Sequence, residues 1–158
     1  MFRPIRKKKN AISMEAAKNL LHHTRRGVLA VQGEEGYPYA IPVNYLYEEE
    51  NAKLFFHSAR VGYKADAINR CDKVCFTVVG NERVNDEGWA PFLQSVVIFG
   101  RCHAIENQEE AMALLRRFAR KFYPEEAMVE EEIALAGKAV RMYEIEIEHL
   151  SGKEVQER

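Results

Sequence analysis

Apolar residues recur along this chain with two periods, and the alternation between them predicts the elements. Ala16, Ala17, Leu20, Leu21 and Thr24 share one helical face behind Ser13, a residue type that caps helix N-termini well, and predict a helix that stops at Gly27 after Arg25 and Arg26. Residues 28–32 and 37–47 then read as two strands of a hairpin around a turn at 33–36. Pro38 and Pro42 cannot donate to a ladder, so the second strand belongs at an edge or carries a bulge. A polar turn at 48–51 leads to a strand at 54–58, a turn at 59–62, a helix at 63–70 and a strand at 73–79. Residues 81–91 read as a loop holding the lone Trp89, and 94–105 as another strand. Ala111, Leu114, Leu115, Phe118 and Phe122 form the stripe of a helix capped by Asn107 and ended by Pro124. A shorter acidic helix spans 125–136, and residues 140–148 alternate as a last strand before a polar tail.

The strands carry more apolar surface than one barrel interior needs. Phe55 and Phe56 are neighbours and therefore point to opposite faces, and the strands around Val74 and Val96 are also apolar on both sides. Six mostly hairpin-linked strands with helices inserted late predict a mainly β fold, a small antiparallel barrel with peripheral helices. The surplus apolar faces call for a cover, either a symmetric partner or a planar ligand, so the expectation is an obligate homodimer with its ligand near the interface.

Composition narrows the partners. With 158 residues, 47% hydrophobic and 30% charged, the chain is expected to be one domain over 1–158, with a basic, solvated arm at 1–12 and a polar tail at 150–158. A net charge of −1 gives no case for nucleic acid or an anionic membrane, and no apolar run approaches the ~20 residues of a membrane span. No apolar core follows the basic N-terminus as it would in a secretory signal, so a cytoplasmic location is expected. Cys71, Cys75 and Cys102 read as buried free thiols, and a zinc site from Cys71, Cys75 and His103 is the weaker alternative because the spacing is not that of a close ligand pair.

Candidate chemistry concentrates at the 54–80 unit. Lys64 stands at the start of a helix, the end where the macrodipole already places positive charge. Beside Ser58, Arg60 and the flexible Gly62, a lysine there suits an anion such as phosphate; the alternative is a lysine pointing into solvent. His57 and Ser58 are adjacent on a strand and so cannot form a nucleophile–base pair with each other. The sequence has no nucleophile elbow, Walker loop, dinucleotide fingerprint or HExxH motif. An anion cradle with apolar strand faces and no acid–base machinery fits a protein whose chemistry resides in a bound cofactor.

The phrases GVLAV (27–31), YPYAIPVNY (37–45), LFFHSARVGYK (54–64), DKVCFTVVG (72–80) and SVVIFGRCHAIENQEEA (95–111), in that order, resemble the FMN-binding split-barrel flavoproteins related to pyridoxamine 5′-phosphate oxidase, and most closely the nitroimidazole resistance reductase branch. The resemblance implies a six-stranded antiparallel split barrel that dimerises and holds FMN between subunits. It implies that His57, Ser58, Gly62 and Lys64 hold the FMN phosphate, that Pro42, Val43 and Asn44 run along the flavin ring and ribityl chain, and that Gln94 and Ser95 reach the flavin, from their own or the other subunit. It implies an oxidoreductase that passes electrons from NAD(P)H or another donor to a small organic acceptor, such as a nitro compound. A flavin-binding or storage protein without turnover, and a haem-binding split barrel, are the alternatives. Two departures stand out: Tyr63 stands where a second basic or small residue is common, which bears on the phosphate contacts, and the 85–92 loop matches no family pattern, which bears on the substrate. The C-terminus also lacks an Arg-rich substrate segment, which argues against pyridoxamine phosphate as substrate.

Overall fold

In the computed structural model, which describes residues 1–84 and 91–156, seven strands form a single antiparallel sheet that curls around a core. In chain order the elements are α1 (Met14–His23), β1 (Arg26–Gln32), β2 (Pro38–Asn44), β3 (Leu46–Glu48), β4 (Lys53–Ala59), α2 (Tyr63–Arg70), β5 (Lys73–Val84), β6 (Pro91–Ala104), α3 (Gln108–Arg120), α4 (Glu126–Ala136) and β7 (Val140–Gln156). The strand order is β2-β1-β5-β6-β7-β4-β3. β2 comes against β4 without a hydrogen-bonded ladder, and that seam is the split in the barrel. Seven strands replace the expected six because the 37–47 strand breaks at Tyr45. Tyr45 leaves the ladder, donates its hydroxyl to the Leu21 carbonyl at 2.7 Å and is fully buried. Pro38 and Pro42 sit on β2, at the edge of the sheet, where a missing N–H costs least.

Other boundaries move for local reasons. α1 ends at His23 rather than reaching Gly27: Thr24 Oγ1 donates to the Leu20 carbonyl at 2.7 Å, and the backbone turns extended there (ψ 135°). Gly27 instead lies in β1, where a Cβ would come within 2.4 Å of the Phe76 ring. β5 continues to Val84 through a bulge between Gly80 and Arg83, with Asn81 at φ 54°, so the first part of the expected 81–91 loop is strand. Trp89 and the rest of that loop, residues 85–90, lie outside the described residues. The expected polar tail is the continuation of β7, paired with β6 as far as Gln156. The arm is docked at both ends and not simply solvated. The Ile12 amide donates to the Gly152 carbonyl at 3.0 Å, Asn10 Nδ2 donates to the Glu154 carbonyl at 2.9 Å, and Phe2 stacks on His149 and Phe99.

Two cores divide the apolar residues. The larger fills the barrel with Leu29, Phe56, Phe76, Val78, Val96, Ile98 and Tyr143, closed on its sides by Leu20 and Leu21 of α1 and Ala67 and Ile68 of α2. The second lies outside the barrel wall, where Phe55 and Met142 pack under Leu114, Leu115 and Phe118 of α3 and Val129 and Ile133 of α4. Both faces of β4 are thus covered within one chain, which removes that strand from the surface expected to need a partner. The outward faces of β1, β5 and β6 stay open: Val28 is 43% exposed, Val79 52% and Phe99 40%. Among the described residues, no helix is long and apolar enough to cross a membrane.

Candidate functional site

The corner from β4 into α2 carries two cationic side chains, Arg60 and Lys64. The chain leaves β4 at Ala59 and turns through Gly62, whose φ of 127° is a conformation that only glycine adopts without strain. A Cβ there would meet nothing within 4 Å, so backbone conformation and not crowding asks for glycine. α2 then starts with no side-chain cap, and its first helical bond runs from the Asp66 amide to the Gly62 carbonyl. The amides of its first turn are left without intrahelical acceptors, and the helix dipole adds positive potential at the same point.

Lys64 lies in that turn and is half-buried, not extended into solvent. Its ammonium is 5.9 Å from the centre of the Phe56 ring, and desolvation lowers its pKa. No carboxylate pairs with it among the described residues. His57 lies edge-on to Phe118 with ring centres 4.9 Å apart. Desolvation first, and then the charge of Lys64, push the imidazole below its usual pKa and favour its neutral form. Arg60 crosses to α4's exit, where Nε donates to the Lys138 carbonyl at 3.0 Å. Ser58 points to the opposite face from His57 and stands in register with Arg141 on β7.

Pro42, Val43 and Asn44 lie on edge strand β2 opposite Val28, Gly27 and Arg26. Val43 is turned into the core, whereas Pro42 is exposed beside Val28 on the outer face. Asn44 Oδ1 accepts from Arg26 Nε at 2.9 Å. Gln94 and Ser95 are elsewhere in the protomer. Gln94 Oε1 accepts from Asn81 Nδ2 at 2.6 Å, and Ser95 is buried, in register with Val79 and Lys153. The point on β6 level with Phe56 is Ala104, through Tyr143 of β7. Ser95 is nine residues from it, roughly 30 Å of strand at ~3.3 Å per residue. One chain therefore brings His57, Ser58, Gly62 and Lys64 to a single corner but leaves Gln94 and Ser95 at the far end of β6.

Sequence patterning missed Arg141 and Tyr143. The Tyr143 ring stacks on Phe56 at 5.1 Å, and its hydroxyl is buried without a hydrogen-bond partner. Burial raises that phenol's pKa, while neighbouring Arg141 opposes the rise. Their approach to Ser58 depends on the β4–β7 register across more than 80 positions, for which the local sequence holds no signal beyond the shift of alternation near Tyr143. The Cys102 thiol is buried, and desolvation raises its pKa, which makes it a poor nucleophile. Cys71 and Cys75 are also free thiols, but only half-buried. No group of three or more His, Cys, Asp or Glu residues is placed to hold a metal ion among the described residues, so Cys71, Cys75 and His103 do not make the zinc site considered above.

Comparison with known proteins accords with this architecture. No curated protein matches the chain. Among solved structures, a candidate 5-nitroimidazole antibiotic resistance protein from Bacteroides thetaiotaomicron superposes with a TM-score of 0.77 at 20% identity, over 92% of this chain and 87% of that one. A flavocytochrome from Azotobacter vinelandii gives 0.74 at 19% identity, over 96% and 72%. An FAD-binding protein from Mesorhizobium loti gives 0.64 at 22%, over 92% and 96%. At these identities the likeness establishes the split-barrel fold alone. The sequence model of the pyridoxamine 5′-phosphate oxidase family matches residues 13–154, nearly the whole chain, and the protein belongs to that family.

Proposed function

We propose that this protein binds FMN as a homodimer and uses it as an oxidoreductase acting on a small organic acceptor. The observation that carries the reading is the half-buried Lys64, without a carboxylate partner, at the uncapped start of α2. A desolvated ammonium beside free backbone amides is costly alone and favourable once an anion is bound. Ser58, Gly62 and Lys64 fit a terminal phosphate, and His57 offers a hydrogen bond at its edge. The exposed apolar strand faces by Val28 and Pro42 fit a flat ring system and a second copy of the chain. Flavin-related descriptions of the Mesorhizobium and Azotobacter structures support the cofactor class, and that of the Bacteroides structure supports a nitro compound as acceptor.

The chemistry supplied in that case is the flavin's own, passage of two electrons from a donor such as NAD(P)H to the acceptor. The chain's part is to anchor the phosphate, to exclude water with its apolar strand faces and to offer His57 as a hydrogen-bonding group.

The test is direct. Purified protein should be yellow and should release flavin on denaturation, with chromatography separating FMN from FAD. Lys64→Ala should weaken FMN binding by about 1.5–3 kcal/mol, the value of a charge-assisted bond to phosphate. A colourless protein that does not take up added FMN, or one that shows the Soret band of haem instead, refutes the reading.

A further inference from the structure

A cavity of about 380 Å³ opens at the end of β7 far from the β4–α2 corner, between that strand and the N-terminal arm, and its volume is that of a small-molecule site. Ile5, Arg6 and Lys7 of the arm form one wall, and Lys153, Glu154 and Val155 of β7 form the other. The arm wall is anchored on both sides of the cavity. Phe2 stacks on His149 with ring centres 4.7 Å apart, Asn10 Nδ2 donates to the Glu154 carbonyl at 2.9 Å, and the Ile12 amide donates to the Gly152 carbonyl at 3.0 Å. That wall is also the most basic stretch of a chain whose net charge is −1: five of the seven residues at 3–9 are Arg or Lys, and no acidic residue precedes Glu15. Folding brings Arg6 and Lys7 together with Lys153 around one space, with Glu154 the only carboxylate in its lining among the described residues. Gathering like charges costs free energy that a bound anion offsets.

We propose that this cavity binds the phosphate monoester of a small organic ligand, held between Arg6 and Lys7 of the arm and Lys153 of β7. Three cations against one carboxylate match a dianion, and a forked guanidinium with two ammonium groups suits the three terminal oxygens of a phosphomonoester. Ile5 and Val155 leave an apolar part of the lining for the ligand's body. The site is separate from the cradle at the start of α2: Lys64 is not among its lining residues, and its occupation requires no flavin. Two sources share this chemistry, a free phosphorylated metabolite and the 2′-phosphate that distinguishes NADPH from NADH. The second source rests on the proposed function. Lys153 and Glu154 stand in register with Ser95 and Gln94, the residues expected to reach the flavin, so a ligand in the cavity lies beside the place where an electron donor must bind.

The experiment is a calorimetric titration of the full chain at physiological salt, with and without added FMN, using ribose 5-phosphate and ribose as probes. Ribose 5-phosphate should bind in both conditions, and ribose about ten- to a hundredfold more weakly. Arg6→Gln and Lys153→Gln should each lower ribose 5-phosphate affinity about tenfold, while Lys18→Gln, whose ammonium pairs with Glu49, leaves it unchanged. Arg6 and Lys153 are exposed, so both variants are expected to fold, with thermal melting as the check. Absence of ribose 5-phosphate binding, equal binding of ribose, or unchanged affinity in both variants overturns the proposal. So does loss of binding in Lys64→Ala with the Arg6 and Lys153 variants unaffected, because the ligand then sits at the start of α2. Because the probe needs no flavin, a protein that fails to take up FMN loses the proposed function and not this site. NADP⁺ and NAD⁺ then separate the sources. Tighter binding of NADP⁺ that is lost in Arg6→Gln assigns the cavity to the electron donor, and equal binding of the two assigns it to a free phosphorylated metabolite.

Discussion

At the scale of single residues, Lys121 shows how burial makes a charge conditional. Its Nζ donates to the Thr24 carbonyl at 2.7 Å and the Tyr45 carbonyl at 3.0 Å, and lies 4.3 Å from the centre of the Tyr45 ring. It thereby ties the end of α3 to the end of α1 and to the break between β2 and β3, next to Pro42–Asn44. Burial, reinforced by the charge of Arg25, lowers its pKa to about 8. In the unfolded chain a lysine titrates near ~10.4, so between those values the unfolded state carries the extra proton. The contribution of this position to stability therefore rises with pH from about 8 and levels off above the unfolded value. Urea unfolding of the wild type and Lys121→Met across that window should show the wild type gaining on the variant as pH rises. Parallel curves would mean that the ammonium is solvated in the folded protein.

Among the elements, the layer of α3 and α4 is held to the barrel over Phe55 and Met142. Phe55 is 3% exposed, and the helices' own apolar residues close over it. Phe55→Ala should cost about 3–5 kcal/mol, the usual range for a buried phenylalanine, and should speed amide exchange in α3 and α4 more than in β5 and β6. Uniform acceleration would show that the layer unfolds only with the barrel. The same residue marks how far local pattern reaches. Adjacent Phe55 and Phe56 made a two-faced strand legible, but the cover comes from helices about 60 positions downstream, and nothing near 55 says so. Lys64 was legible because a cation at a helix start is a local anomaly, whereas Arg141 joins the corner only through strand register. Residues 81–84 and 151–156 read as loop and tail in the sequence because polar residues dominate both segments and show no apolar alternation. Ladder hydrogen bonds to β6 hold them in the sheet instead.

For the whole molecule, the open outer face of β1, β5 and β6 is the feature that a single chain leaves unexplained. Val28, Thr77 and Val97 stand side by side in register across it, with Val79 and Phe99 on the same face. Phe2 of the arm covers only the Phe99 end. An apolar strand face of this kind fits a two-fold interface, where each copy supplies the same patch. Such an interface also offers a route for Gln94 and Ser95 to take part in the cofactor site. They stand roughly 30 Å of strand from the β4–α2 corner of their own chain, and a symmetric neighbour can present its corresponding end there. Val79→Lys tests both ideas together, because Val79 points outward, is in register with Ser95 and touches none of the Lys64 corner. Light scattering at micromolar concentration should find the wild type as a dimer and the variant as a folded monomer, since two lysines facing across the axis repel and lose their water. FMN affinity should fall at least about tenfold in the variant with Lys64 intact. A wild type that is already monomeric ends the interface proposal, and a monomeric variant that keeps full FMN affinity confines the cofactor site to one chain.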